Sequence, residues 1–255
     1  LQEGNFVPRY LTLHRWDVTP EEAAHIQSDL RTRVQKTNGF KPEDIKTVAG
    51  VDCSLKDEGQ AAIVVLTFPG LEVVDRVVAS RKLEFPYVPG LLSFREVPLI
   101  LDAVDRLKDM PDLFMVDGQG YAHPRRFGIA CHLGVFVDRP SIGCAKSVLW
   151  GRFDKEKLGP NPGDQQPIVD YKTKETIGIA LRSKVRTNPL IISIGHKIDL
   201  PTSVDFVQKC LRGYRLPETT RGAHNFAGSA EPFPVAAADK LVGDTGEQLE
   251  QGKLF

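Results

Sequence analysis

The sequence predicts an α/β protein built on a mixed sheet, and three features predict it. Three β-branched-rich runs, Thr47 to Leu55, Ala61 to Phe68 and Leu71 to Leu83, are separated only by turn residues such as Glu58-Gly59 and Pro69-Gly70, which reads as an antiparallel meander. The stretch from Asp112 to Ala145 then reads strand, helix, strand at a spacing that calls for parallel pairing. Segments with helical periodicity lie before and between these blocks, as the layers of an α/β fold require.

In chain order, Thr19 is placed to cap a helix, Pro20 suits its first turn, Glu22 completes a capping box, and Ala23, Ile26, Leu30 and Val34 form the stripe. After the meander, Leu91 to Leu107 carries Leu92, Val97, Ile100, Leu101, Val104 and Leu107 at helical spacing, with Pro98 as an expected kink. Asp112 to Val116 is a short apolar strand, Arg125 to Val137 a helix with Ile129, Leu133 and Phe136 on one side, and Ser141 to Ala145 a further strand. Thr176 to Arg182 and Leu190 to Ile194 also read as strands, and Asp199 as the cap of a helix carrying Val204, Val207 and Leu211. From Gly222 onward Ala, Gly, Ser and Pro dominate without periodicity, which reads as a mobile tail. The expected organisation is a folded domain over 1–225 and a flexible tail over 226–255.

The chain has 255 residues, 33 Lys and Arg against 33 Asp and Glu, and 41% hydrophobic residues, which is globular usage. No apolar run approaches the roughly 18–20 residues that cross a bilayer, so no membrane role is expected. The start lacks the apolar core of a secretion signal, and the expected location is the cytoplasm. The cysteines Cys53, Cys131, Cys144 and Cys210 form no C-x-x-C pair and read as small buried hydrophobes. A net charge of zero argues against a protein that coats nucleic acid non-specifically. The charge is nonetheless unevenly spread: Tyr121 to Arg152 holds five basic residues against one acidic, and Arg182 to Arg221 eight against three. Glu231 to Phe255 has five acidic and two basic. Two basic segments and an acidic tail suggest a face turned to a polyanion.

Acidic residues among core-forming ones need a partner or a metal, because an unpaired buried carboxylate is costly. Asp52 interrupts the run Val48-Ala49-Gly50-Val51, Asp117 ends Leu113-Phe114-Met115-Val116, and Glu96 sits inside an amphipathic helix. If the first and fourth strands are neighbours, Asp52 and Asp117 meet at their ends and the helix adds Glu96. Three oxygen ligands suit Mg²⁺ or Mn²⁺ and phosphodiester hydrolysis. Spacing alone leaves open that these are turn, capping and solvated helix residues.

The segments Gly50-Val51-Asp52-Cys53-Ser54, Phe85-Pro86-Tyr87-Val88-Pro89-Gly90 through Glu96, Val116-Asp117-Gly118-Gln119-Gly120, Ala122-His123-Pro124-Arg125-Arg126 and Ile142-Gly143-Cys144-Ala145-Lys146 together resemble endonuclease V, in that family's order. The similarity runs from about Tyr10 to His224. It implies an RNase H-like fold, a mixed five-stranded sheet flanked by helices. It also implies an endonuclease that finds inosine, deaminated adenine, in DNA and cuts the second phosphodiester 3′ to it, leaving 3′-hydroxyl and 5′-phosphate ends for repair. On this resemblance Asp52, Glu96 and Asp117 match the ligands of Mg²⁺, with Mn²⁺ as a substitute, and Lys146 and His224 match basic groups near the scissile phosphate. Pro86, Tyr87, Val88 and Pro89 match a wedge that fills the gap left by an extruded base. Gly90, Leu92, Gly120, Gly128, Ile129 and Leu149 match the base pocket. His123, Arg125 and Arg126 are candidates for phosphate contacts.

The tail ends Gln251-Gly252-Lys253-Leu254-Phe255, which resembles the pentapeptide that docks on the bacterial sliding clamp through Gln251, Leu254 and Phe255. Two rival functions stand beside DNA repair. Inosine-containing single-stranded RNA offers the same base edge and is cheaper to extrude. A non-cleaving inosine-binding module is the other, although such a protein would not need three carboxylates.

Overall fold

The computed structural model describes residues 9–55 and 58–227. The helix α1 (Pro20–Leu30) starts at Thr19 with the expected capping box: the Glu22 N–H donates to Thr19 Oγ1, and the Thr19 N–H donates to the Glu22 carboxylate. The meander follows as β1 (Thr47–Leu55), β2 (Gly59–Thr67) and β3 (Val73–Arg81), all antiparallel. Next come α2 (Leu92–Val104), β4 (Leu113–Val116), α3 (Ile129–Val137) and β5 (Ser141–Ala145), with β1, β4 and β5 parallel to one another. Pro98 lies inside α2 without ending it. The chain continues through β6 (Gln165–Val169), β7 (Thr176–Leu181), β8 (Leu190–His196), α4 (Leu200–Lys209) and α5 (Glu218–Ala227).

The sheet order is β3-β2-β1-β4-β5-β8-β7-β6. Its first five strands form the expected five-stranded mixed sheet, but the sheet has eight. The chain adds β8, β7 and β6 antiparallel beyond β5, which covers an edge that would otherwise be open. The strand β6, Gln165-Gln166-Pro167-Ile168-Val169, was not expected. It sits at the sheet edge, where an exposed glutamine, Gln165, and an exposed proline are tolerated and leave no apolar pattern to read. The helix expected from Arg125 begins only at Ile129, because Arg126 takes φ 59° and Gly128 turns its N–H back to the Gly120 carbonyl.

The sheet separates two apolar layers. Ala49, Val51, Phe114 and Val116 pack with α2 and α3 on a first face, whereas Val48, Leu113, Met115, Ile142 and Cys144 pack with α4 and α5 on a second. Helix α5 corrects the expectation of a loose tail from Gly222, and the expected boundary after residue 225 falls within its last turn. Its buried side is Thr219, Thr220, Ala223 and Ala227, so it carries no large apolar stripe. It reaches the sheet so closely that a Cβ on Gly50 would lie on the Thr219 carbonyl. The residues Gln251, Leu254 and Phe255, and with them the clamp-like ending, lie outside the described residues. Among the described residues no helix is long and apolar enough to cross a membrane.

Candidate active site

Parallel pairing of β1 with β4 sets Val51 opposite Val116, and the Asp117 N–H donates to the Val51 carbonyl at 2.8 Å, so Asp52 and Asp117 emerge side by side at the strand tips. By strand alternation both belong to the second face, where α5 lies. His224 of α5 contacts Asp52 Oδ2 through Nδ1 at 2.6 Å, and Lys146, just past β5, pairs with Asp117 Oδ2 at 2.6 Å. Helix α2 brings Glu96, 7% exposed, from the first face.

This cluster holds more negative charge than its neighbours offset. Burial, followed by the charges of Asp52 and Asp117, pushes the Glu96 carboxyl up to about 8. Burial and Asp52 raise Asp117 as well, against the opposing pull of Lys146. Asp117 Oδ2 meets the ammonium of Lys146 at 2.6 Å. A divalent cation resolves both features, and a set of hard oxygen donors is what Mg²⁺ or Mn²⁺ prefers. The groups able to converge on one ion are Asp52, Asp117 and His224, whose ligand atoms all lie within 4.8 Å of one another. The set expected was Asp52, Glu96 and Asp117. Glu96 lies near enough to the two aspartates for their charges to raise its carboxyl.

Beside the carboxylates a cavity of about 270 Å³ opens, with Asp117 and Lys146 in its wall. Gly90, Leu92, Gly128, Ile129 and Leu149 line it, together with Tyr87, Val88 and Pro89. Tyr87 is 71% exposed and Leu149 44%, so two large apolar residues stand unburied at one opening. The loop carrying Tyr87 is rigid at its base: Arg95 donates to the Phe85 carbonyl at 2.8 Å, and the Leu91 N–H closes a turn onto the Val88 carbonyl. Helices α2 and α3 both begin at this cavity, and neither has a side-chain N-cap. Backbone carbonyls serve there in place of the side chains of Thr19 and Asp199: the Phe94 N–H donates to Leu91 and the Ala130 N–H to Gln119, each at 3.0 Å.

The Endonuclease V family model matches residues 28–225. The chain belongs to the endonuclease V family. An endonuclease V of Gloeobacter violaceus is 48% identical over 223 residues, covering 85% of this chain and 88% of its own. The endonuclease V structure from Bacillus subtilis superposes with a TM-score of 0.79 at 31% identity, covering 86% of this chain and 94% of that one. That of Ciona intestinalis, solved with a 24mer DNA containing an inosine followed by a ribo-adenosine, gives 0.71 at 27% identity, covering 81% and 95%. The RNase H-like fold and a nuclease activity follow from this membership.

Within this endonuclease V frame several expected residues take other places. Gly120 does not line the cavity: it packs against the Ile194 carbonyl of β8 and donates its N–H to Ser193. Arg126, 9% exposed, is committed to Asp170 at 2.7 Å and Glu175 at 3.2 Å, which leaves no free guanidinium for a phosphate. His123 is 2% exposed and, by burial and the nearby Arg125 charge, pushed down to about 4. It is neutral, accepting from the Arg125 N–H at Nδ1 and donating from Nε2 to the Gly90 carbonyl at 2.9 Å. Arg125 donates to the same carbonyl at 2.8 Å. These two residues fix the base of the Tyr87 loop from inside.

Gln27 of α1 completes that arrangement. Buried at 1% exposure, it donates to the Gly90 and Phe127 carbonyls, each at 3.1 Å, and accepts from Arg125 Nε. One side chain thus ties α1 to both loops that frame the cavity. Sequence reading passed over it, although a glutamine on the buried stripe with Ala23 and Leu30 was the available signal.

Proposed function

We propose that this endonuclease recognises inosine in DNA and hydrolyses the second phosphodiester bond 3′ to it, leaving 3′-hydroxyl and 5′-phosphate ends, in the repair of deaminated DNA. The observation that carries the reading is the adjacency of an under-compensated carboxylate cluster to a cavity with an exposed aromatic at its mouth.

Asp52 and Asp117 would hold Mg²⁺ or Mn²⁺, with Glu96 and His224 beside them. Such an ion, when bound, lowers the pKa of a water and neutralises phosphate oxygens. Lys146 adds positive charge where the transition state gains negative charge. Asp52 accepts the Nδ1–H of His224, which fixes the ring and leaves Nε2 facing away as the group able to exchange a proton with water or the leaving oxygen. The prolines on either side of Tyr87 reduce the entropy lost when its ring replaces an extruded base. A donor of this cavity aimed at the O6 acceptor of hypoxanthine would select that base. Adenine presents a donor at that position, and the 2-amino group of guanine finds no acceptor, so both are disfavoured by polar mismatch.

The inosine in the DNA of the Ciona relative is followed by a ribo-adenosine, which favours a second reading: inosine-containing single-stranded RNA as substrate. Cleavage of matched labelled DNA and RNA strands with one inosine, in Mg²⁺, Mn²⁺ or EDTA, tests both. A cut one nucleotide beyond the 3′ neighbour bond, lost in EDTA, is expected, and the DNA to RNA rate ratio selects the substrate. Metal-independent cutting, or none on either strand, rejects the proposal.

A further inference from the structure

A strand that is cut in its middle continues past the cut, and one patch of this protein is placed to receive that continuation. Between Leu211 and Leu216, which pack on the second face of the sheet, the chain presents Tyr214 with half its surface exposed. The Tyr214 ring lies 4.2 Å from the Arg221 guanidinium and 5.7 Å from Lys184 Nζ. Arg221 is one turn before His224 on α5, and His224 touches Asp52. Arg215, next to Tyr214, donates to the Lys146 carbonyl, and Lys146 touches Asp117. The patch is therefore joined to the catalytic carboxylates on both sides.

Its charge is uncompensated. The guanidinium of Arg215 donates to the carbonyls of Asn188, Lys146 and Pro189, and that of Arg212 to those of Lys209, Leu211 and Pro69. Neither meets a carboxylate among the described residues, nor does Lys184. Glu218 is the acid within reach, and it is paired with Arg221. Of the two cations over the ring, Arg221 is paired and Lys184 has no acidic partner among the described residues; an exposed aromatic ring beside such positive charge is the composition that binds single-stranded nucleic acid, stacking a base and neutralising its phosphates.

We propose that Tyr214 is a stacking platform for a nucleotide on the 3′ side of the scissile phosphate, with Lys184, Arg212 and Arg215 neutralising the phosphates that follow. The inference rests on the proposed cleavage 3′ to inosine. The cavity is walled by the starts of α2 and α3, helices of the first face, whereas Tyr214 belongs to the second; the carboxylates stand between them at the strand tips. A strand with its inosine in the cavity and its scissile phosphate at the carboxylates must then leave toward Tyr214 in the 3′ direction.

The test uses the full chain and fluorescent single-stranded inosine oligonucleotides in Ca²⁺, read by anisotropy. One oligonucleotide ends at the expected cut, a second extends eight nucleotides further 3′, and a third is extended equally on the 5′ side. Tyr214→Ala is expected to weaken binding of the 3′-extended strand by about 5-fold to 150-fold, the range of one base stack, while Tyr214→Phe retains it. The truncated strand lacks the nucleotide concerned and should show no such loss. Equal loss on all three strands, loss confined to the 5′-extended one, or no loss on any overturns the platform. If the unsubstituted protein does not distinguish inosine from adenosine strands, the proposed function itself fails, and the 3′ assignment with it.

Discussion

Two buried clusters of charge in this protein differ in how they are balanced. Around Arg126, the carboxylate of Asp170 accepts from the Thr173 and Lys172 N–H groups, from the Trp150 indole at 2.5 Å and from the guanidinium, and these donors hold it well below the usual carboxylate range. Glu175 is lowered as well, by Tyr121, Arg126 and Lys36, against the effect of its burial. Around Asp52, three carboxylates face Lys146 and His224, and Glu96 and Asp117 are raised. The first cluster is complete without a ligand and serves the fold. The second is complete only with added positive charge, which is the property a metal-dependent hydrolase needs at rest. Both contain acids and bases at similar density, so it is the donor count that separates structure from chemistry.

The largest expected effect breaks the comparison at the reactive cluster. Asp117→Asn should lower cleavage by about 1,000-fold or more, as loss of a group acting on the reacting phosphate does. The thermal midpoint should stay level or rise as repulsion is relieved; a collapse of stability instead would assign Asp117 to the fold. The mirror-image change, Arg126→Ala, strands two carboxylates in the complete cluster and should lower the thermal midpoint of the metal-free protein far more than Asp117→Asn does. A midpoint unchanged by loss of Arg126 would remove the contrast.

Titration sharpens the same contrast. The folded-state value of Glu96, about 8, lies above its ordinary 4.5, so between these limits the folded protein keeps a proton that the unfolded chain releases. Stability of the metal-free protein should therefore fall as pH rises from 4.5 toward 8, and Glu96→Gln should flatten that fall. Mg²⁺ binding should expel protons below pH 8, seen in calorimetry as a heat that varies with the ionisation enthalpy of the buffer. Equal slopes in both proteins would place the charge elsewhere. The smallest effect expected is at the cavity mouth: Tyr87→Ala should weaken binding of inosine DNA by about 1–3 kcal/mol, one aromatic stack, with stability unchanged because the ring is exposed. Undiminished binding would move the wedge to another residue.

Much of this arrangement was legible before folding was considered. The meander, the β4-α3-β5 unit and the capping box at Thr19 carry periodicities and caps that local physics reads directly. Asp52 and Asp117 were legible because a charge inside or at the end of an apolar strand is conspicuous. Helix α5 was not, since its buried face is Thr219, Thr220, Ala223 and Ala227, and a close approach over Gly50 replaces an apolar stripe. Nor could Arg125 and Arg126 be told apart: neighbours in sequence, they face Gln27 with the Gly90 carbonyl, and Asp170 with Glu175, respectively.

The sequence by itself determined the order of elements and the carboxylates at two strand ends, because hydrophobic period and turn chemistry act over a few residues. Tertiary structure decided which charges are balanced. Lys146, His224, Glu96 and the two aspartates come from five separate elements or loops, and their protonation depends on distances of a few ångströms that no local pattern encodes.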